Sequence, residues 1–143
     1  MKSGNVLSRS VVAGVALLLA AWLAVGLRST ILEERGRDQL TSGLTLRGAT
    51  QARIVSRAAR NLDRASWLNP DRIPRMYYAQ SIVILGDKVR AEEVTREVIR
   101  AEPENLENWR TALGVGLALP DRGLQAEARR RIRELNPRTA RSR

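Results

Sequence analysis

The side chains of this chain that could do chemistry are carboxylates and arginines, because its 143 residues include no histidine and no cysteine. Their absence removes imidazole acid–base catalysis, thiolate chemistry, disulfides and the usual zinc ligands. The closest carboxylates are the adjacent pairs Glu33-Glu34 and Glu92-Glu93. Neighbouring residues on a helix point about 100° apart, so neither pair can converge on one substrate. With no phosphate-binding glycine loop and no Ser/Lys dyad, we expect no enzymatic activity, no metal site and no cofactor.

Positive charge is the second chemical feature of the chain. The formal net charge is +10, and nearly all of it is arginine, since Lys2 and Lys88 are the only lysines. Residues 44–70 carry five basic and one acidic residue, and residues 105–143 carry nine and four, whereas residues 71–104 carry six and seven. The basic regions therefore flank a nearly neutral middle. This distribution favours contact with anionic lipid or acidic polymers, although arginine bias is also typical of GC-rich genomes.

A candidate basic patch lies on the last predicted helix and comprises Arg129, Arg130, Arg131 and Arg133, followed by a polar tail with Arg138, Arg141 and Arg143. One interpretation is the solvated outer face of a capping helix. The other is a surface for anionic headgroups or a charged glycan. No aromatic residues are interleaved with these arginines and no reading motif accompanies them, which argues against nucleic acid as a partner.

An uncharged segment at residues 10–27 reads SVVAGVALLLAAWLAVGL and is bounded by Arg9 and Arg28. Its eighteen residues lie at the short end of what a membrane-spanning helix needs, which is about 20. Trp22 lies toward one end, where an indole can settle at the membrane interface. The segment therefore predicts a lipid-bilayer anchor.

A cleaved signal peptide is the alternative interpretation of the amino terminus. Lys2 and Arg9 would form its basic leader, and Ala24-Val25-Gly26 a small-residue cleavage site, which would release a soluble repeat protein. The apolar region is longer than the roughly 7 to 15 residues of such a peptide, so we favour a retained anchor.

The orientation of the anchor does not follow from charge, because basic residues lie on both sides of it. A long carboxy-terminal region can be exported largely regardless of its charge, whereas a short leader can stay inside. We therefore expect a single-pass protein, in the bacterial inner membrane, with a cytoplasmic amino terminus and an extracytoplasmic helical domain.

Proline marks a period along the rest of the chain. An amide or acidic residue precedes proline at Asn69-Pro70, Glu102-Pro103 and Asn136-Pro137, at steps of 33 and 34 residues. Each pair predicts the end of a helix, because proline lacks the amide hydrogen and disfavours helical geometry in the residue before it. A period of about 34 residues indicates repeated helical hairpins.

The best-defined unit lies between residues 72 and 105. Its first helix is predicted at residues 75–85 and its second at residues 88–101, separated by Gly86-Asp87. Glycine supplies a left-handed closing residue, and aspartate can cap the helix that follows. Apolar residues recur at helical spacing in both helices, namely Tyr78, Ala79, Ile82 and Leu85, then Ala91, Val94, Val98 and Ala101.

This unit resembles a tetratricopeptide repeat. Tyr78-Ala79 falls at the family's leucine-glycine pair, Ile82 at its tyrosine, Ala91 at its first alanine and Pro103 at its closing proline. The resemblance implies an all-α solenoid of stacked helical hairpins.

A second unit at residues 106–139 places Trp109 at the family's tryptophan and Pro137 at its proline. It departs from the pattern where Leu113-Gly114 lies one residue late and where Gln125 replaces the usual alanine. The turn at Pro120-Asp121 can absorb that slip.

Upstream, an apolar stripe resembles the second helix of an earlier unit, and it consists of Ala52, Val55, Ala59, Leu62 and Ala65. Its first helix would be the juxtamembrane stretch from Arg28 to about Leu40. About two and a half units are thus predicted. The predicted organisation is a basic leader (1–9), a transmembrane helix (10–27), a juxtamembrane helix (28–44), helical repeats (45–139) and a basic tail (140–143).

The resemblance also implies a partner-binding groove lined by the first helix of each unit. The implied groove residues are Ile73, Met76, Gln80, Val83, Ile84, Glu107, Arg110, Gly114, Leu117 and Ala118. We expect this largely apolar surface to hold a hydrophobic helix or an extended segment of a partner protein. Some family members bind the carboxy-terminal tails of chaperones through a clamp of several basic and amide residues. Only Gln80 and Arg110 are of suitable type here, so a chaperone tail is not expected as the partner. Trp109 and Tyr78 are predicted to pack in the core, whereas Tyr77 is freer.

Short repeats after a membrane span, with closures such as Leu-Asn-Pro, also resemble the carboxy-terminal tail of bacterial polysaccharide polymerases and O-antigen ligase-type proteins. That likeness covers no catalytic residue. It suggests a non-catalytic scaffold subunit of a membrane or envelope complex, with envelope polysaccharide assembly as context. The rival hypothesis is a module that binds anionic lipid or another polyanion through its arginine-rich ends.

Overall fold

A computed structural model describes residues 4–136 of the protein, with side chains from residue 11 onward. These residues form six α-helices and no strand, which confirms the predicted all-α fold. Pro137 and the basic tail lie outside the described residues, as do residues 1–3 of the leader. The helices are α1 (Gly4–Leu44), α2 (Gly48–Leu68), α3 (Ile73–Ile84), α4 (Lys88–Ala101), α5 (Leu106–Ala118) and α6 (Arg122–Leu135).

Helix α1 contains both the uncharged segment and the juxtamembrane stretch, with no break between them. No proline occurs there, and the residues after Arg28 are largely good helix formers such as leucine, glutamate and arginine. Of the helices that the structure describes, α1 is the one long and apolar enough to cross a membrane. Side chains from residue 11 to residue 28 are all exposed. The eighteen uncharged residues measure about 27 Å along the axis, close to the roughly 30 Å of a hydrocarbon core.

The helix ends follow the local signals in the sequence. The C-cap residues of α2, α4 and α6 are Asn69, Glu102 and Asn136, each of which directly precedes a proline in the sequence. Helix α4 has the predicted bounds, and Asp87 accepts a hydrogen bond from the Arg90 amide at its start. Gly86 has a φ of +92°, the left-handed conformation expected for the turn between α3 and α4.

The six helices form three consecutive antiparallel pairs, α1–α2, α3–α4 and α5–α6. Helices α1, α3 and α5 form one layer: α3 contacts both of the others, and Tyr77 of α3 reaches Arg37 of α1 and Glu107 of α5. Within the part of the chain described, the backbones of α2, α4 and α6 stay apart, with no Cα atom of one helix within 8 Å of a Cα atom of another. The α1–α3–α5 layer is therefore the inner layer, and the other three helices lie outside it.

The hydrophobic core lies largely between the pairs: of the three buried clusters in the described residues, two combine residues of different pairs, and side chains of α3 pack against the third. One cluster combines Met76 and Val98 of the middle pair with Trp109 and Leu124 of the last pair. Another joins Leu40, Val55, Ala58 and Leu62 of the first pair, and Tyr77 and Tyr78 of α3 pack against it. No single pair could bury its apolar face alone, so the stack is stabilised as a unit.

Glycines allow α1 and α2 to approach closely. A Cβ on Gly36 would lie 2.6 Å from Leu62 Cγ, and one on Gly43 would lie 2.7 Å from Val55 Cγ2. Nearer the apolar segment, Ser29 Oγ donates a hydrogen bond to the Ala65 carbonyl oxygen at 3.3 Å. These contacts fix the end of α2 beside the point where the apolar part of α1 ends.

Candidate partner-binding surface

The exposed face of the inner layer is the candidate partner-binding surface. On α3 it comprises Tyr77, Gln80 and Ile84, which are partly buried, and on α5 it comprises Glu107, Arg110, Gly114 and Leu117. Both sets recur at steps of three and four residues, so each forms a stripe on one side of its helix. The two stripes are adjacent: a Cβ on Gly114 would lie 3.9 Å from Gln80 Nε2.

Two of the predicted groove residues do not belong to this surface. Met76 is only 1% exposed and Val83 only 8%, and both belong to the buried clusters. Helix α3 is central and packs against α2, α4 and α5, so only a narrow stripe of its circumference remains open. Assigning Met76 and Val83 to a groove was therefore wrong. The predicted groove residues that do lie on this surface are Gln80, Ile84, Arg110, Gly114 and Leu117.

A chain of polar contacts crosses the three inner helices near one end of this surface. The Arg37 guanidinium lies 4.9 Å from the centre of the Tyr77 ring. The Tyr77 hydroxyl donates to Glu107 Oε1 at 3.4 Å, and Glu107 Oε2 pairs with Arg110 at 3.6 Å. Burial raises the pKa of Tyr77, so the phenol stays protonated and remains a donor. The surface is thus less apolar than the sequence predicted, because Tyr77 and Arg37 join it in place of Met76 and Val83.

The apolar part of the surface lies toward the carboxyl end of α5. Leu117 is 55% exposed there, and Gly114, one turn earlier, has no side chain to cover it. A partner side chain could pack against Leu117 while a backbone or amide group pairs with Gln80 or Arg110. This combination fits a protein segment with apolar anchors and a polar edge.

The predicted basic patch lies on α6, and its four arginines have different surroundings. Arg131 is held by several partners. Its Nη2 donates hydrogen bonds to Glu104 and to the Pro103 carbonyl oxygen, and its Nη1 donates one to Glu134. The guanidinium also lies 5.7 Å from the centre of the Trp109 ring. Hydrogen bonding to Glu134 raises the pKa of Arg131, which stays charged. Arg130 pairs with Glu134 at 3.8 Å, whereas Arg129 and Arg133 are exposed and form no ion pair with any described residue.

A cleft of about 590 Å³ separates α4 from α6 beside this patch. Its floor includes Trp109, whose indole is buried as predicted and donates to the Pro103 carbonyl oxygen at 2.7 Å. Its rim includes Arg96, Arg100 and Arg130. Arg96 is already bound to Glu92 and Asp121, each at 2.9 Å, so little of its charge is free for a ligand.

A second basic surface lies on α2 and was not predicted from the sequence. Arg53, Arg57, Arg60 and Arg64 are all exposed and recur at steps of four, three and four residues, so they lie within about 60° on one side of the helix. None of them forms an ion pair within the described residues, because Asp63, the one acidic residue of α2, pairs with Arg75. We call this set the α2 arginine stripe. The spacing of these arginines predicts such a stripe, whereas the summed charge of residues 44–70 does not.

No family model, curated protein or solved structure matches this chain. The arrangement of its surfaces is therefore the basis for any functional assignment.

The carboxylate pairs are distributed among separate ion pairs. Glu92 pairs with Arg96 at 2.9 Å, whereas its neighbour Glu93 pairs with Arg90 at 2.7 Å. Glu33 lies 4.0 Å from Arg37, accepts a weak hydrogen bond from Asn69, and has a pKa raised by burial. Glu33, Glu92 and Glu93 are thus each engaged with a structural partner, whereas Glu34 is exposed and forms no ion pair within the described residues.

Proposed function

We propose that this chain is a non-catalytic, single-pass membrane adaptor that binds a larger membrane or envelope protein through the inner layer of a tetratricopeptide-like helical stack. The observation that carries the proposal is the exposed apolar segment of α1, which continues without a break into the first helix of the stack. A free water-soluble protein would expose seventeen consecutive uncharged residues of α1, from residue 11 to residue 27, at high cost. A bilayer removes that cost.

The inner layer supports a binding role because its three helices present one continuous surface. The two stripes on α3 and α5 lie side by side, and Arg37 extends the surface onto α1. Repeat proteins commonly use such a surface, because neighbouring units supply similar positions at regular spacing. The 34-residue step between Gln80 and Gly114, which are neighbours across the layer, supports the tetratricopeptide interpretation.

We further propose that the adaptor acts in bacterial envelope polysaccharide assembly at the inner membrane, a setting suggested by its resemblance to the tails of O-antigen ligase-type proteins. In that setting the larger partner would carry the catalytic residues. The adaptor would supply an anchored docking surface.

Co-purification from native membranes in mild detergent tests the proposed surface. We expect the wild-type chain to retain a partner protein and Leu117→Glu to lose it, because a charge at this exposed position would have to be desolvated in the complex. Val89→Glu is the matched control, since Val89 is 80% exposed but lies at the start of α4, away from the inner layer. Equal retention of the partner by both variants would reject the inner layer as the docking surface.

A second candidate function, binding of anionic lipid or another polyanion, is favoured by the α2 arginine stripe and by the exposed Arg129 and Arg133. Salt separates the two functions, because counterion-dependent binding weakens steeply as ionic strength rises, whereas docking on the inner layer responds little. Arg57→Gln with Arg60→Gln should weaken polyanion binding and leave co-purification of a protein partner unchanged. Loss of the protein partner in that variant would assign the docking to α2.

A further inference from the structure

The carboxyl end of α2 presents two apolar residues to solvent. Trp67 is 83% exposed and Leu68 is 36% exposed. The Trp67 indole forms no hydrogen bond and no ring contact with the described part of the chain. Trp109, by contrast, is buried and hydrogen bonded. An exposed indole at a helix end, with a leucine beside it, is a large apolar surface for which the helical stack provides no cover.

The position of Trp67 relative to the apolar segment follows from the α1–α2 pairing. Ser29 and Ala65 are joined by a hydrogen bond, and the two helices run antiparallel. Trp67 lies two residues beyond Ala65, so it is about 3 Å closer to the apolar end of α1 than Ser29 is. That places it level with Leu27, the last residue of the uncharged segment. Consistent with this, Leu68, Asn69 and Pro70 line a common cleft with Trp22, Val25 and Gly26.

We propose that Trp67 and Leu68 insert into the headgroup–acyl boundary of the leaflet from which α1 emerges, as a second membrane contact beside the anchor. The inference rests on the proposed membrane span. Indoles favour this boundary because one end of the ring system is apolar and the N–H can bond to water or a headgroup. Arg28 and Arg64, both exposed, lie at or just above the same level, where their guanidinium groups can reach lipid phosphates.

The contact is confined to the base of α2. Arg53 lies fourteen residues before Trp67, about 21 Å farther from the bilayer along the helix axis, well beyond the roughly 8 Å Debye length at physiological salt. The upper part of the α2 arginine stripe therefore lies beyond the headgroups of the bilayer that holds α1, so a polyanion bound there would be a separate molecule. A bilayer contact at Trp67 fixes the rotation of the helical stack about α1, which one spanning helix cannot do alone.

Because the chain has no native cysteine, a single introduced cysteine can carry a label that reports its depth in the bilayer. The measurement uses the full chain in nanodiscs of phosphatidylcholine and phosphatidylglycerol. A nitroxide label is placed at Trp67→Cys, at Val89→Cys or at Leu18→Cys. Collision rates with oxygen, which concentrates in the bilayer, and with a water-soluble nickel chelate are then measured. Val89 is the exposed control, at the turn end of the α3–α4 pair, and Leu18 reports the apolar segment.

We expect the label at position 67 to collide with the nickel chelate several-fold less often than the label at position 89, with position 18 more protected than either. If position 18 is protected while position 67 is as accessible as position 89, the span stands and the interfacial contact is rejected. If position 18 is accessible as well, the proposed span fails and the inference fails with it.

The native indole provides an independent measurement. The fluorescence of the Trp22→Phe variant is compared with that of the double variant Trp22→Phe, Trp67→Phe. Both variants retain the buried Trp109, so the difference between their spectra is the emission of Trp67. We expect brominated lipid to quench this difference signal and aqueous acrylamide to quench it weakly. Strong quenching by acrylamide without quenching by brominated lipid would place the indole in water and overturn the proposal.

Discussion

The residue before proline does more than end a helix in this protein. Glu102 is the C-cap residue directly after α4. Its Oε2 accepts hydrogen bonds from Asn105 Nδ2 at 3.0 Å and from the buried Asn108 Nδ2 at 2.8 Å. Asn105 in turn caps α5 by accepting from the amides of Glu107 and Asn108. One carboxylate thus joins the end of the middle pair to the start of the last pair.

Replacing Glu102 with alanine tests this role. Glu102→Ala leaves the buried Asn108 amide without its acceptor, and we expect the free energy of unfolding to fall by about 1–3 kcal/mol. Thermal or denaturant unfolding of the full chain in detergent, followed by circular dichroism, measures the change. Glu104→Ala is the control, because Glu104 is mostly exposed and its pair with Arg131 should contribute less than about 1 kcal/mol. An equal loss of stability in the two variants would contradict the proposed role of Glu102 in linking α4 to α5.

Glu33 provides a prediction about pH. Burial raises its pKa above the ordinary value of 4.5, so the folded state binds a proton more tightly than the unfolded chain does. The contribution of Glu33 to stability is therefore full below pH 4.5 and is lost as the pH rises through the folded-state pKa. We expect Glu33→Gln to raise the free energy of unfolding near pH 7, by less than about 1 kcal/mol, and to change it little near pH 4. A loss of stability near pH 7 would show that the ion pair with Arg37 outweighs the cost of burial.

At the scale of single elements, the closest helix contact is the α1–α2 pair, which depends on glycine at two positions seven residues apart, Gly36 and Gly43. Seven residues correspond to about two helical turns, so both glycines face α2. Leu62 and Val55 fill the space that their missing side chains leave. The same pairing sets the height of Trp67 above the apolar segment.

We expect Gly36→Ala to destabilise the pair, because the new methyl group would overlap Leu62 and overpacking costs about 1–3 kcal/mol, more than the roughly 1 kcal/mol that alanine gains in helix propensity. Gly26→Ala is a matched control on the same helix, since nothing lies within 4 Å of its Cβ position. Unfolding curves of the two variants measure the difference. If Gly36→Ala is as stable as Gly26→Ala, the close approach of α1 and α2 is not as described.

Helix ends were predictable from the sequence because their signals are local. Proline after Asn69 and Glu102, glycine at position 86 and aspartate at position 87 each act within a few residues, and the structure places helix ends there. The sequence divides α1 into a transmembrane helix (10–27) and a juxtamembrane helix (28–44), because a change from apolar to charged residues marks a change of surroundings. It does not interrupt the backbone hydrogen bonds of a helix.

At the scale of the whole molecule, the candidate surface was predictable only in part, because burial depends on neighbours distant in sequence. Met76 and Val83 are apolar and lie on an inner helix, yet the packing of α2, α4 and α5 around α3 buries them. Leu117, which also lies on an inner helix, remains 55% exposed. The α2 arginine stripe is likewise a property of the assembled stack, since Asp63 is drawn away from it by Arg75.

The orientation of the molecule is testable with the single-cysteine variant Val89→Cys. We expect a membrane-impermeant maleimide to label it in intact inner-membrane preparations whose extracytoplasmic face is accessible, since the helical domain is predicted on that side. Leu18→Cys, in the apolar segment, should stay unlabelled in either orientation. Labelling of Val89→Cys only after the membrane is permeabilised would place the helical domain in the cytoplasm.

The unbroken course of α1 has a mechanical consequence. A flexible linker would let the helical stack turn independently of its anchor, whereas here the same rod crosses the apolar segment and forms the first member of the stack. If α1 spans a bilayer as proposed, a partner that tilts or twists this helix within the lipid must swing the outermost pair, α5–α6, through an arc that grows with its distance from α1. In that case force and orientation would pass directly between the two sides of the membrane.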